Sequence, residues 1–96
     1  MDNREWKAEV EVEYCVPCGY HNLAAWTVSE MFAAGGTALA VKLKPGAKGD
    51  FKITFDGQVL FDKKANNSQS PTIAQMKELK ALVKNRMESL VPVGAR

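Results

Sequence analysis

Residues 10–20, Val-Glu-Val-Glu-Tyr-Cys-Val-Pro-Cys-Gly-Tyr, restrict the fold more than any other stretch of the chain. The alternation of apolar and acidic side chains up to Tyr14 requires an extended strand with one dry and one wet face. Beyond the two cysteines the period changes. Tyr20, Leu23, Ala24, Thr27, Val28 and Met31 share one face at helical spacing, with Trp26 and Phe32 on its shoulders. A strand running into a helix through Cys15-Val16-Pro17-Cys18 puts Cys15 just before the first helical turn and Cys18 inside it. Pro17 stiffens that linker and, lacking an N–H, sacrifices no hydrogen bond at the start of a helix.

The remaining pattern builds one domain around this unit. The first strand covers residues 6–14, with Trp6, Ala8, Val10, Val12 and Tyr14 on the dry side. Its wet face of Lys7, Glu9, Glu11 and Glu13 means that helices cover one side of the sheet only, since a strand covered on both sides is apolar throughout. Gly35-Gly36 ends the first helix with a left-handed cap. Residues 37–44 alternate again, and a strand, helix and strand joined by short connections make a right-handed crossover with parallel strands. Phe51, Ile53 and Phe55 form a third strand, and Asp56-Gly57 signals a tight hairpin into residues 58–62. A two-residue turn sets Ile53 opposite Leu60 and Thr54 opposite Val59, leaving Val59 and Phe61 on the wet side. Residues 63–70 read as a polar surface loop, and Thr72 and Gln75 have capping-box spacing. Ile73, Met76, Leu79, Leu82, Val83, Met87 and Leu90 form the stripe of the last helix, with Lys77, Lys80, Lys84 and Arg86 outside.

The expected architecture is an α/β two-layer fold, β-α-β-β-β-α, with a mixed four-stranded sheet in the order 2-1-3-4 and both helices on one face. In that order the glutamates of the first strand lie between Lys42/Lys44 and Lys52, where opposite charges support one another. A single domain over residues 1–96, with an ordered core at about 6–90, suits a chain that is 46% hydrophobic.

Charge excludes some partners. Lysine and arginine total 13 against 11 acids, and Lys63-Lys64 is the longest basic run, so nucleic acid is not an expected partner. No apolar run approaches membrane-spanning length and the N-terminus is charged, which points to the cytoplasm and away from a membrane. In a reducing compartment two cysteines three apart read as a reactive or metal-binding pair before a structural staple. Zinc needs about four ligands, and His21 adds only a third, so no metal site is expected. Inert buried cysteines are the other bland alternative.

A dithiol at a helix N-terminus gains thiolate character from backbone N–H groups and the helix dipole. One thiolate attacks a disulfide and the second resolves the mixed disulfide. His21 could lower the neighbouring thiol's pKa as a cation or carry a proton, or simply sit on the surface. Tyr14 and Tyr20 read mainly as core, with Tyr20 over the thiols.

The block Glu13-Tyr14-Cys15-Val16-Pro17-Cys18-Gly19-Tyr20, with Gly49-Asp50-Phe51-Lys52-Ile53, Asp56-Gly57-Gln58-Val59-Leu60-Phe61 and Met76-Lys77-Glu78-Leu79, resembles the selenoprotein W-related (Rdx) family over residues 8–90. The resemblance implies a thioredoxin-like fold and a cytosolic thiol-redox role with glutathione as a co-substrate and no bound cofactor. Selenocysteine members carry it at the position of Cys18, which implies that Cys18 is the more reactive group. Analogy with thioredoxins favours Cys15, and both assignments stand at this point. Where thioredoxins hold a cis-proline, this chain has Lys48-Gly49. The leading functional expectation is a small thiol-disulfide oxidoreductase acting on protein or glutathione disulfides or a peroxide, with Cys15 and Cys18 catalytic and Val16, Pro17, Gly19, Tyr20 and His21 supporting. The alternative is a redox-sensitive protein-binding module that docks a partner through the motif loop and the Val59/Phe61 face, without turnover. Free sheet edges leave the oligomeric state open.

Overall fold

A computed structural model describes residues 8–90 and contains the expected elements in the expected order. These are β1 (Ala8–Tyr14), α1 (His21–Gly35), β2 (Leu39–Pro45), β3 (Phe51–Phe55), β4 (Gln58–Asp62) and α2 (Ile73–Leu90). Trp6 lies outside the described residues. The sheet runs β2-β1-β3-β4, with β1 parallel to β2 and antiparallel to β3. Ala8, Val10 and Val12 of β1, Leu39 of β2, and Phe51, Ile53 and Phe55 of β3 bury one face against Ala24 and Met31 of α1 and Met76, Leu79, Val83 and Met87 of α2. Both helices therefore cover the same face.

The wet face is organised by charge. Glu11 stands beside Lys42 and Glu13 beside Lys44 in the parallel register, with ion pairs of 3.6 and 3.9 Å. Lys52 faces Glu13 from β3. Partly exposed pairs of this kind contribute little individually, but they agree with the register that the apolar alternation sets.

The hairpin departs from expectation in one respect. Asp56 and Gly57 have φ of 45° and 86°, the positive values that a two-residue turn needs, and Thr54 pairs with Val59. The register then shifts, and Ile53 pairs with Phe61 instead of Leu60. Leu60 is the extra residue of a β-bulge, and one inserted residue turns every later side chain to the other face. Phe61 consequently enters the core, 8% exposed and edge-on to Phe51 with 6.2 Å between ring centroids. Only Val59 stays outside, half exposed. The Val59/Phe61 docking face expected from an unbulged hairpin does not form.

Smaller departures have local causes. Gly36 has the positive φ of 71° expected of a helix-ending glycine, but its ψ of −160° is not left-handed helical, and a 3-10 turn (Gly36–Ala38) leads into β2. Of the α2 stripe, Ile73 and Leu90 sit at the helix ends and Leu82 on its flank, and all three are exposed. The stripe that packs is the 3-4-4 series of Met76, Leu79, Val83 and Met87. Lys80, expected outside, instead reaches across to Glu30 of α1 at 3.2 Å. Arg86 bonds the Gln58 side chain and lies over Phe55. The capping box forms as expected: Thr72 Oγ1 accepts from the Gln75 N–H and Gln75 Oε1 from the Thr72 N–H, each at 3.0 Å. The preceding loop contains a 3-10 turn at Lys63–Ala65, started by the Asp62 side chain accepting from the Lys64 N–H. Among the described residues no helix is long and apolar enough to cross a membrane.

The bulge predicts a large asymmetry between neighbours on β4. Phe61→Ala should destabilise by about 3–5 kcal/mol, as expected for a buried aromatic, and Val59→Ala by no more than about 0.5 kcal/mol. Urea denaturation of the two variants checks this, and equal losses would mean that Phe61 is not in the core.

Candidate functional site

Strand β1 delivers the first cysteine directly into the interior. Its alternation would turn Cys15 to the wet side after Tyr14, but the strand ends there, and the Cys15 N–H donates to the Asp50 carbonyl at 2.9 Å. Cys15 is fully buried, while Cys18 is exposed together with Val16, Pro17 and Gly19. The two sulfurs are joined, S–S 2.08 Å, with Cα atoms 5.3 Å apart.

The motif is a turn, not the first turn of a helix. The Gly19 N–H donates to the Val16 carbonyl at 3.0 Å and the Tyr20 N–H to the Cys15 carbonyl at 3.4 Å. Gly19 has φ +77°, a left-handed value that glycine adopts without penalty and that stops a helix from running back through Cys18. Helix α1 starts only at His21, with Tyr20 in the N-cap position but making no side-chain cap bond. The expected placement of Cys18 inside the first helical turn is therefore corrected. What the sulfurs receive is a specific N–H each. The Cys18 N–H donates to Cys15 Sγ at 3.2 Å, and the Gly49 N–H donates to Cys18 Sγ at 3.3 Å.

That second donor comes from the loop between β2 and β3, residues 46–50, which lies against the motif. Gly49, half of the Lys48-Gly49 pair that the sequence sets against the cis-proline of thioredoxins, has φ +82°. A proline there would have no N–H to give to Cys18, so the glycine brings a hydrogen-bond donor to the sulfur. The loop is tied at both ends, by the Gly46 N–H to the Tyr14 carbonyl at 2.8 Å and by the Cys15 bond to Asp50. Across its neck the Asp50 N–H donates to the Ala47 carbonyl and the Ala47 N–H to Asp50 Oδ2, both at 3.0 Å. Lys64, from the 3-10 turn after β4, reaches the other carboxylate oxygen at 2.9 Å.

The Lys64 hydrogen bond is the largest influence on the Asp50 carboxyl and holds it below the ordinary aspartate value; partial desolvation opposes this, and the Ala47 N–H adds to the lowering. The same pair holds the Lys64 ammonium above the ordinary lysine value. Tyr20 is partly buried against the core, with Lys63 over its ring at 5.3 Å. Tyr14 is packed at the core edge, and His21 is exposed as the first residue of α1. Cys15, Val16, Pro17, Cys18, Gly19 and Tyr20 thus form one compact turn, with His21 just beyond it.

Fold and site together define a class: a thioredoxin-like α/β domain with a Cys-x-x-Cys disulfide between its central strand and first helix. Within that class the chain belongs to the Rdx family, whose model matches residues 9–85. Among solved structures it is similar to a protein from Bordetella parapertussis, with 30% identity, a TM-score of 0.72, and 83% of this chain and 98% of that chain covered. It is also similar to a selenoprotein W-related protein from Vibrio cholerae, with 26% identity, a TM-score of 0.73, and 85% and 99% covered. No curated protein matches the chain. The family is redox-related, in agreement with the paired cysteines.

In the residue pattern Gly49 and Asp50 stand out only within the family block and in the place of a proline, and Lys64 only as half of a basic pair, so none of the three is marked as a site residue. The available signals were the Gly-Asp step that opens the third strand, the Ala47-to-Asp50 spacing of a side-chain-closed turn, and the single pair of adjacent lysines.

The Asp50–Lys64 pair gives the stability of this corner a defined pH profile. A carboxyl held low in the folded state stabilises above its unfolded pKa of about 3.9, and that contribution is lost as pH falls through the lower folded value. An ammonium held high stabilises below about 10.4 and loses its contribution as pH rises through the higher folded value. Asp50→Asn should therefore be less stable than wild type at neutral pH, and the gap should narrow at both extremes. Urea midpoints for the two proteins across pH check this, and a gap independent of pH would show that the ion pair is not its source.

Proposed function

We propose that the protein is a small thiol-disulfide oxidoreductase in which Cys18 attacks and Cys15 resolves. The observation that carries the reading is the unequal burial of two directly bonded sulfurs. Cys18 is open to a substrate, whereas Cys15 at 0% exposure can meet only the sulfur of Cys18. Family membership supports the same chemistry.

In the reducing direction the Cys18 thiolate attacks one sulfur of a substrate disulfide, forming a mixed disulfide and expelling the other substrate sulfur as thiolate. The Cys15 thiolate then attacks Cys18 Sγ, forming the Cys15–Cys18 bond and releasing the second substrate thiolate. Two electrons pass from the protein dithiol to the substrate, and two external thiols, with glutathione as the proposed co-substrate, restore the dithiol by the reverse exchange and leave as their own disulfide. Each thiolate formed has an N–H at hand: Gly49 for Cys18 and Cys18 for Cys15. The proposed substrates are protein disulfides and protein–glutathione mixed disulfides, and the proposed place of work is the cytoplasm, where such dithiols are kept reduced.

The test is a glutathione redox series with alkylation trapping, read by mass. Wild type should show one reversible two-electron transition to the internal disulfide. Cys15→Ser should accumulate a mixed disulfide on Cys18, and Cys18→Ser should lose most of its reactivity toward disulfides. Thiols that never pair, or a Cys18→Ser protein as reactive as wild type, would overturn the reading.

A further inference from the structure

We propose that Asp50, clasped by Lys64, is a positioning residue of the redox site: it fixes the 46–50 loop so that the Gly49 N–H stays aimed at Cys18 Sγ and favours the thiolate. The inference rests on the redox reading above and adds a part to it that lies outside the Cys-x-x-Cys motif.

The Gly49 N–H meets Cys18 Sγ at 3.3 Å, although the two residues are 31 positions apart. Nothing in Gly49 itself can hold it there, because it has no side chain, and its φ of +82° is one of several conformations open to glycine. Its neighbour Asp50 supplies the hold. The Asp50 backbone is bonded on both sides, through its N–H to Ala47 and through its carbonyl to Cys15. Its carboxylate takes the Ala47 N–H with one oxygen and Lys64 with the other. The loop is thus closed across its neck one residue after the donor.

Lys64 arrives on the same short turn that places Lys63 over Tyr20, the residue closing the cysteine turn. Two adjacent lysines therefore brace both walls of the site. The charged groups around the clasp are Glu13 from β1, which also faces Lys44, and Asp62 from β4, which faces Lys64.

A thiolate accepts a hydrogen bond more strongly than either a thiol or a disulfide sulfur does. A fixed N–H therefore lowers the Cys18 thiol pKa and stabilises the reduced form, with no covalent bond made or broken by the clasp. This has a sign that separates it from simple charge. Removing the Asp50 anion would, by through-space electrostatics alone, lower the pKa of a nearby thiol. Releasing the Gly49 donor raises it.

The experiment uses the Cys15→Ser protein, which leaves Cys18 as the sole thiol of a chain with 2 cysteines. Iodoacetamide alkylation rates across pH give the Cys18 pKa with Asp50 intact, with Asp50→Asn, and with Asp50→Glu, which keeps the charge but moves the carboxylate. Both substitutions should raise the pKa and slow alkylation at neutral pH by roughly threefold or more. In the two-cysteine protein, Asp50→Asn should shift the disulfide equilibrium in glutathione toward the oxidised form. A Cys18 pKa unchanged or lowered in a folded Asp50→Asn protein overturns the proposal. Should that variant fail to fold by circular dichroism, Asp50→Glu decides, with an unchanged pKa overturning it. Alkylation needs no turnover, so failure of the clasp is distinguishable from failure of the redox cycle, which the glutathione series on wild type reads separately.

Discussion

The backbone pairing of β1 on both of its edges is the constraint on which the rest of the structure depends. It pairs in parallel with β2, which is reached through the α1 crossover, and antiparallel with β3, which follows β2 through the 46–50 loop. Its alternation fixes which face is dry, and so fixes where α1 and α2 must pack. Where β1 ends, the ladder is continued by a single bond from the Cys15 N–H to Asp50. That bond holds the first sulfur inside the protein and the 46–50 loop beside the second.

The site gains its chemistry from an inequality between two residues three positions apart. Cys15 directly follows the last residue of a central strand and is buried. Cys18 belongs to a turn that Gly19 keeps out of the helix, and it is exposed. In the proposed exchange the resolving thiol meets only its partner sulfur, and the attacking thiol meets the substrate. The supporting polar contacts come from separate segments: Gly49 and Asp50 from the loop after β2, Lys63 and Lys64 from the turn after β4.

Much of this was legible in residue order. The alternation in β1, the Asp56-Gly57 turn, the Thr72/Gln75 box and the Met76-to-Met87 stripe are local patterns, and local patterns survive folding when burial agrees with them. The misreadings were equally physical. An Asp-Gly turn specifies the tip of a hairpin but not a bulge two residues away, because the bulge is decided by whether Phe61 or Leu60 fills the space beside Phe51. A proline after the first cysteine favours a helical start, yet one glycine at φ +77° delays that start beyond Cys18. Leu82 falls within the periodic stripe of α2 but stays exposed on the rim of a groove that it lines with Leu60 and Leu79.

Residue order alone carries the succession of elements and the position of the cysteine pair, because both follow from periodicity or from spacing within a few residues, and the sheet order follows from the handedness of the crossover. Which cysteine faces solvent, the burial of Phe61, and the approach of Gly49, Asp50 and Lys64 to the cysteine turn emerge only from the folded arrangement. Those outcomes depend on segments distant in the chain meeting at one strand end, and no local pattern encodes a contact between residues 31 positions apart.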